Sequence, residues 1–136
     1  MKKVLLFTFM LMGMNAYSQD KKVVINVNDT TIYNVVDVDA VFPGSEMVMY
    51  DSIFTKLDLD KIFPEKNIKG TVEVEFIVEK DGSLKYFKIL QSLDPRCDNE
   101  IITILKNLPK WNPAILNNQI VRFRKTVKLE LKKQSD

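Results

Sequence analysis

The feature that most restricts what this chain can become is the stretch from Gly70 to Gln91. Val72, Val74, Phe76 and Val78 fall on alternate positions, with Glu73, Glu75 and Glu79 between and after them. A period of two puts the apolar set on one face of a strand and the glutamates on the other, the pattern of an antiparallel strand with one wet face. Asp81-Gly82 follows as a turn dipeptide, and Leu84–Gln91 returns with Leu84, Phe87 and Ile89 apolar. The slip of parity between Leu84 and Phe87 predicts a bulge near Lys85-Tyr86. Glutamates at alternate positions of an open strand cannot wrap a cation, so they read as a solvated face. Such a hairpin needs a second layer to cover its apolar side.

Helical periodicity supplies that layer. Met49, Ile53 and Leu57 recur every fourth residue behind a capping Ser45, and Tyr50 and Phe54 widen the stripe, which predicts a core-facing helix over about 46–57. A second helix is expected from about Arg96 to Asn107, opened by Asp94-Pro95, carrying Ile101, Leu105 and Leu108, and stopped by Pro109. Trp111-Asn112-Pro113 makes a rigid corner that packs the single Trp against the sheet. After an Asn117-Asn118 turn, a last strand runs from Ile120 to Leu131. Val121, Phe123, Val127, Leu129 and Leu131 point inward along it, and Arg122, Arg124, Lys128 and Lys132 outward. Upstream, Lys22–Val27 and Ile32–Val38 are rich in β-branched residues around an Asn28–Thr31 turn, giving an extended arm or small hairpin. The expected class is α+β: a two-layer domain with a three-stranded antiparallel sheet, two helices on one face, and an N-terminal extended arm.

Composition narrows the chemistry. The 136 residues include no histidine and one cysteine, Cys97, so imidazole acid–base roles, an internal disulfide and Cys-rich zinc sites are excluded. The remaining carboxylate pairs, such as Asp58 and Asp60, have no evident apolar pocket to shift them. No catalytic residue, metal or cofactor is therefore assigned, and an enzyme is not expected. Met1-Lys2-Lys3, the apolar run Val4–Met14 and Ala16-Tyr17-Ser18 read as a secretory signal peptide cut after Ser18. The run falls short of the ~20 residues needed to span a bilayer. Removing residues 1–18 takes away two lysines and no acidic residue, which leaves 18 charges of each sign. That neutral total argues against nucleic acid as a partner. The charge is polarised, with nine acidic and four basic residues in 19–65 against nine acidic and fourteen basic in 66–136. It reads as two surfaces facing different neighbours.

Ile68-Lys69-Gly70, the Val72–Val78 strand, Lys80-Asp81-Gly82-Ser83, Ile89-Leu90-Gln91-Ser92 and the helix beginning near Asp98 are followed by Pro109-Lys110-Trp111-Asn112-Pro113-Ala114 and the Val121–Leu131 strand. These elements, in this order, resemble the TonB C-terminal domain. Val36-Asp37 and Phe42-Pro43-Gly44-Ser45-Glu46 look like the extension of Bacteroidetes-type members, so the resemblance covers about residues 33–131. Together with the signal peptide read above (1–18) and the extended arm (19–32), it gives a TonB C-terminal-like domain over 33–133. It implies a periplasmic module that grips a short peptide, the TonB box of an outer-membrane receptor, as an added strand in TonB-dependent transport. The residues ahead of the domain do not read as the family's membrane helix and Pro-rich spacer, so the expectation is the binding module alone. The expected receiving edge is the last strand, with Val121, Arg122, Phe123, Arg124, Lys125 and Lys128 as partner-binding residues. Its cations suit a partner carrying carboxylates, and they would equally protect a sheet edge from aggregation. A second hypothesis is a homodimeric assembly factor of the envelope with no transport role, its free edges paired across a twofold axis. Concentration-dependent mass separates the two. No small-molecule substrate is expected.

Overall fold

A computed structural model describes residues 22–64 and 67–134, so the signal peptide lies outside the described residues. In chain order the elements are β1 (Val24–Ile25), β2 (Ile32–Tyr33), α1 (Glu46–Lys56), α2 (Leu59–Ile62), β3 (Ile68–Val78), β4 (Leu84–Gln91), α3 (Pro95–Asn107), β5 (Ala114–Leu116) and β6 (Gln119–Lys133). The hairpin demanded by the valine–glutamate alternation is β3–β4, and β6 pairs antiparallel with β3 without a break from Phe123 to Lys133.

The class is mixed α+β, but among the described residues the sheet has six strands rather than three, in the order β1-β6-β3-β4 with β2 and β5 also on β6, and the one-turn α2 is a third helix beside the two expected. The three extra strands are two or three residues long, too short to show any period. β5 precedes the Asn117-Asn118 turn, where both residues take positive φ (51° and 59°), as a two-residue hairpin requires. The arm does not fold on itself. β1 and β2 each pair parallel with β6, at Gln119–Ile120 and at Arg122–Phe123.

The β3–β4 loop closes between Glu79 and Ser83, with Glu79 N–H donating to Ser83 O at 2.8 Å. Of Asp81 and Gly82 only Gly82 has positive φ (85°), so this is a three-residue loop with glycine at its left-handed position. The bulge expected near Lys85-Tyr86 is present, since the register shifts between Glu75 and Ile77 and Tyr86 takes φ 57°.

The inward face of β3 and β6 buries Val72, Val74, Phe76, Val78, Val121, Val127, Leu129 and Leu131. Met49 and Ile53 of α1 and Cys97, Ile101, Ile104 and Leu105 of α3 close over that face in one cluster. Ser45 caps α1 by accepting from Val48 N–H at 3.2 Å, and Asp94 caps α3 by accepting from Arg96 N–H at 2.8 Å. The buried carboxylate of Asp98 accepts from the Ser92 hydroxyl and from Leu93 N–H, which ties the first turn of α3 to the end of β4. Trp111 is buried edge-on against Phe42 and Phe76, with centroids 5.8 and 5.6 Å away.

Candidate functional site

Among the described residues, β6 is a long strand with one side left partly unfinished. Its odd-numbered backbone groups serve β3. Its even-numbered groups face the other way, because alternate residues of a strand direct N–H and C=O to opposite edges. The contact that fixes that parity is Val24 N–H donating to Asn118 O at 2.9 Å, and the Tyr50 hydroxyl, which approaches the Lys128 backbone from the outer side, agrees with it. On this outer side β1 and β2 cover β6 only as far as Phe123. From Arg124 to Lys133 no strand among the described residues pairs with this outer side, and β3 alone pairs with β6. At about 3.4 Å per residue, this open edge is long enough for a six- to nine-residue extended segment.

A groove runs beside the edge, walled by α1. Tyr50 and Phe54 face Lys128, Leu129 and Glu130 across it, and it continues past Leu57 to Lys132 and Lys133. Phe54 is 45% exposed in this wall. At the opposite end, Asp39, Phe42, Trp111 and Thr126 line a deeper cavity. Burial raises the Tyr50 hydroxyl above the ordinary tyrosine value, the carboxylate of Glu46 adds to this, and the Lys128 hydrogen bond offsets part of it. Tyr50 thus stays a neutral phenol, occupying one ladder position of the open edge.

The six residues singled out from sequence divide. Val121 is buried and paired with Ala114, and Phe123 lies between β2 and β3. Arg122 is fully engaged: it donates to both oxygens of Glu79 at 2.9–3.1 Å and to Thr30 O at 2.8 Å, and lies over the Tyr86 ring. The Glu79 hydrogen bonds and charge hold its guanidinium pKa above the usual value. Arg124, Lys125 and Lys128 do lie on the open stretch. Arg124 pairs with Glu75 at 3.6 Å, and Lys128 is in register opposite Glu73. Lys125 turns to the inner face, where it meets Asp39 at 2.8 Å and the Trp111 ring at 5.8 Å. The cations of β6 are thus largely answered by acids of this chain.

Sequence reasoning missed the other wall of the groove. The α1 stripe of Met49, Ile53, Tyr50 and Phe54 was expected to be core. Met49 and Ile53 are, while Tyr50 is only partly buried and Phe54 is exposed. The available signal was their offset by one residue from the Met49–Ile53–Leu57 line. Among the described residues, no three Asp, Glu or Cys side chains converge as metal ligands, and no helix is long and apolar enough to cross a membrane.

No curated protein matches the chain. A family model, Gram-negative bacterial TonB protein C-terminal, matches residues 63–131, about half of the chain. The match takes in β3, β4, α3 and β5, and β6 as far as Leu131. The hairpin, the helix that follows it and all but the last two residues of the long strand fall inside it, and the chain belongs to the Gram-negative bacterial TonB protein C-terminal family.

Proposed function

We propose that this chain is a periplasmic module that takes a short extended peptide of an outer-membrane receptor onto β6, between Arg124 and Lys133, in the context of TonB-dependent transport. Family membership supports the coarser part, a protein-interaction role in envelope transport. The observation that carries the finer part is the ten-residue edge of β6 with no strand on its outer side among the described residues. An added strand would pair its backbone with the outward groups of Arg124, Thr126 and Glu130 and take Lys128 over from Tyr50. Its alternate side chains would enter the groove under α1, so backbone pairing gives affinity and the groove gives selectivity. The reading includes export: residues 1–18 are removed as a signal peptide, 19–32 are the arm and 33–133 the binding domain.

The homodimer reading has one observation in its favour, the second open edge along β4. That edge is interrupted by two register shifts and by the positive φ of Tyr86. Bulges of this kind make poor templates for another strand. β6 is regular over its open length, which favours it as the receiving edge.

The test uses the secreted chain and synthetic peptides copied from N-terminal segments of outer-membrane receptors of the same organism. On binding, amide resonances from Arg124 to Lys132 should shift while those of β4 stay. Thr126→Pro removes an outward N–H and no β3 ladder bond. With an unchanged circular dichroism spectrum, it should weaken binding at least tenfold. Shifts confined to β4, or undiminished binding by folded Thr126→Pro, would sink the proposal.

A further inference from the structure

Where the open edge of β6 passes the N-terminus of α1, a cavity of about 80 Å³ opens beside it, lined among others by Asp39, Phe42, Met49, Trp111, Lys125 and Thr126. Trp111 is 4% exposed, and its indole N–H has no acceptor among the described residues. Folded chains pair nearly all buried donors, so an unpaired one on a residue that lines a cavity points to an acceptor that is supplied from there.

We propose that this cavity reads one side chain of the added strand, and that it takes a short uncharged side chain bearing an acceptor oxygen, such as threonine, serine or asparagine. The inference rests on the strand-addition reading above. Size is the first argument. The cavity has about half the volume of the ~150 Å³ site that holds benzene, enough for three or four non-hydrogen atoms. Charge is the second. Lys125 is already bound to Asp39 at 2.8 Å, and Glu46 also lines the cavity, so two carboxylates face one ammonium. A carboxylate entering here would be repelled. An ammonium carries no acceptor, and an alkyl group fills the space but leaves the indole N–H unpaired. A hydroxyl or an amide oxygen on a small apolar stem meets all three conditions. Register is the third. Thr126 presents its backbone outward at the cavity, and a strand paired there turns every second side chain to the inner face.

The single tryptophan makes the test direct, because the ¹⁵N-labelled chain has one indole N–H resonance. The probes are nine-residue peptides copied from receptor N-terminal segments, made as pairs with threonine or valine at each inward position in turn. For one position the threonine peptide should shift the indole resonance and bind about tenfold tighter than its valine twin. Trp111→Phe should bind both at the level of the valine peptide. The Thr/Val comparison itself needs no variant of the protein, so a poorly folding Trp111→Phe does not spoil it. If β6 amides shift while every pair binds equally and the indole resonance stays still, the cavity assignment falls and strand addition stands. If no peptide shifts the β6 amides, both fall together.

Discussion

Gly82 and Trp111 show how one turn residue can fix a distant aromatic. Trp111 N–H donates to the Gly82 carbonyl at 2.9 Å, and a Cβ on Gly82 would stand 2.0 Å from the Trp111 carbonyl oxygen. The residue also needs φ of 85°, which an L side chain adopts only with strain. Gly82→Ala should therefore cost about 3 kcal/mol or more, combining backbone strain with a backbone collision. A urea midpoint equal to the parent's would show that the hairpin tip and the Trp111 corner are not coupled. Cys97 gives a second residue-scale prediction. Burial, aided by the carboxylates of Asp98, Asp94 and Glu100, pushes its thiol up to about 11. An unfolded thiol titrates near 8.5. Between those values the folded chain keeps a proton that the unfolded chain releases. Stability is thus full below about pH 8.5 and declines as pH rises toward 11, by at most ~1.4 kcal/mol per unit. Cys97→Ala should flatten this alkaline decline relative to the parent, and identical slopes would refute it. The Asp81-Gly82 turn and the burial of Trp111 were legible in the sequence. Their contact was not, because it joins the tip of one hairpin to a loop after the next helix, and no local pattern encodes that.

At the scale of elements, legibility followed length. The eleven residues of β3 and the fifteen of β6 carry several periods of alternation, and the thirteen of α3 carry more than three helical turns. β1, β2, β5 and α2 span two to four residues, within which no period can repeat. The parallel pairing of the arm with β6 was hidden for a further reason: a strand's own sequence does not state which neighbour it meets. The candidate site inherits this division. Its strand was found and its wall was not, because Tyr50 and Phe54 sit beside the buried line of α1. Tyr50 yields the prediction at this scale. Its hydroxyl lies by the Lys128 backbone, at a ladder position that a strand added as proposed would use. Tyr50→Phe should leave stability within about 1 kcal/mol, since the freed N–H is hydrated. It should also raise peptide affinity several-fold, because the peptide no longer competes with a phenol. Calorimetric titration of the two proteins decides this, and weaker binding by Tyr50→Phe would show that the hydroxyl contacts the peptide instead.

At the scale of the whole molecule, the charge polarity of the sequence turns out to be folded in on itself. It suggested two surfaces meeting different neighbours, yet Asp39 of the acidic half holds Lys125 at 2.8 Å and Asp60 holds Lys133 at 3.3 Å. Asp37 accepts from Asn117 N–H at 2.9 Å, and within the basic half Glu79 and Glu75 answer Arg122 and Arg124. The first three contacts join residues more than seventy positions apart, which composition alone cannot reveal. The consequence is kinetic. Charges answered within the fold project little field beyond the ~10 Å over which salt at 0.1 M screens them. Association should then proceed at the 10⁵–10⁶ M⁻¹s⁻¹ typical of unsteered encounters, with affinity residing in backbone pairing and the groove. Raising sodium chloride from about 50 to about 500 mM should therefore change peptide affinity by less than about threefold, and Arg124→Ala should do no more. A tenfold loss of affinity across that range, carried by the association rate and abolished in Arg124→Ala, would mean that the β6 cations reach the partner despite their acidic neighbours. The edge would then be selecting its peptide by charge rather than by shape.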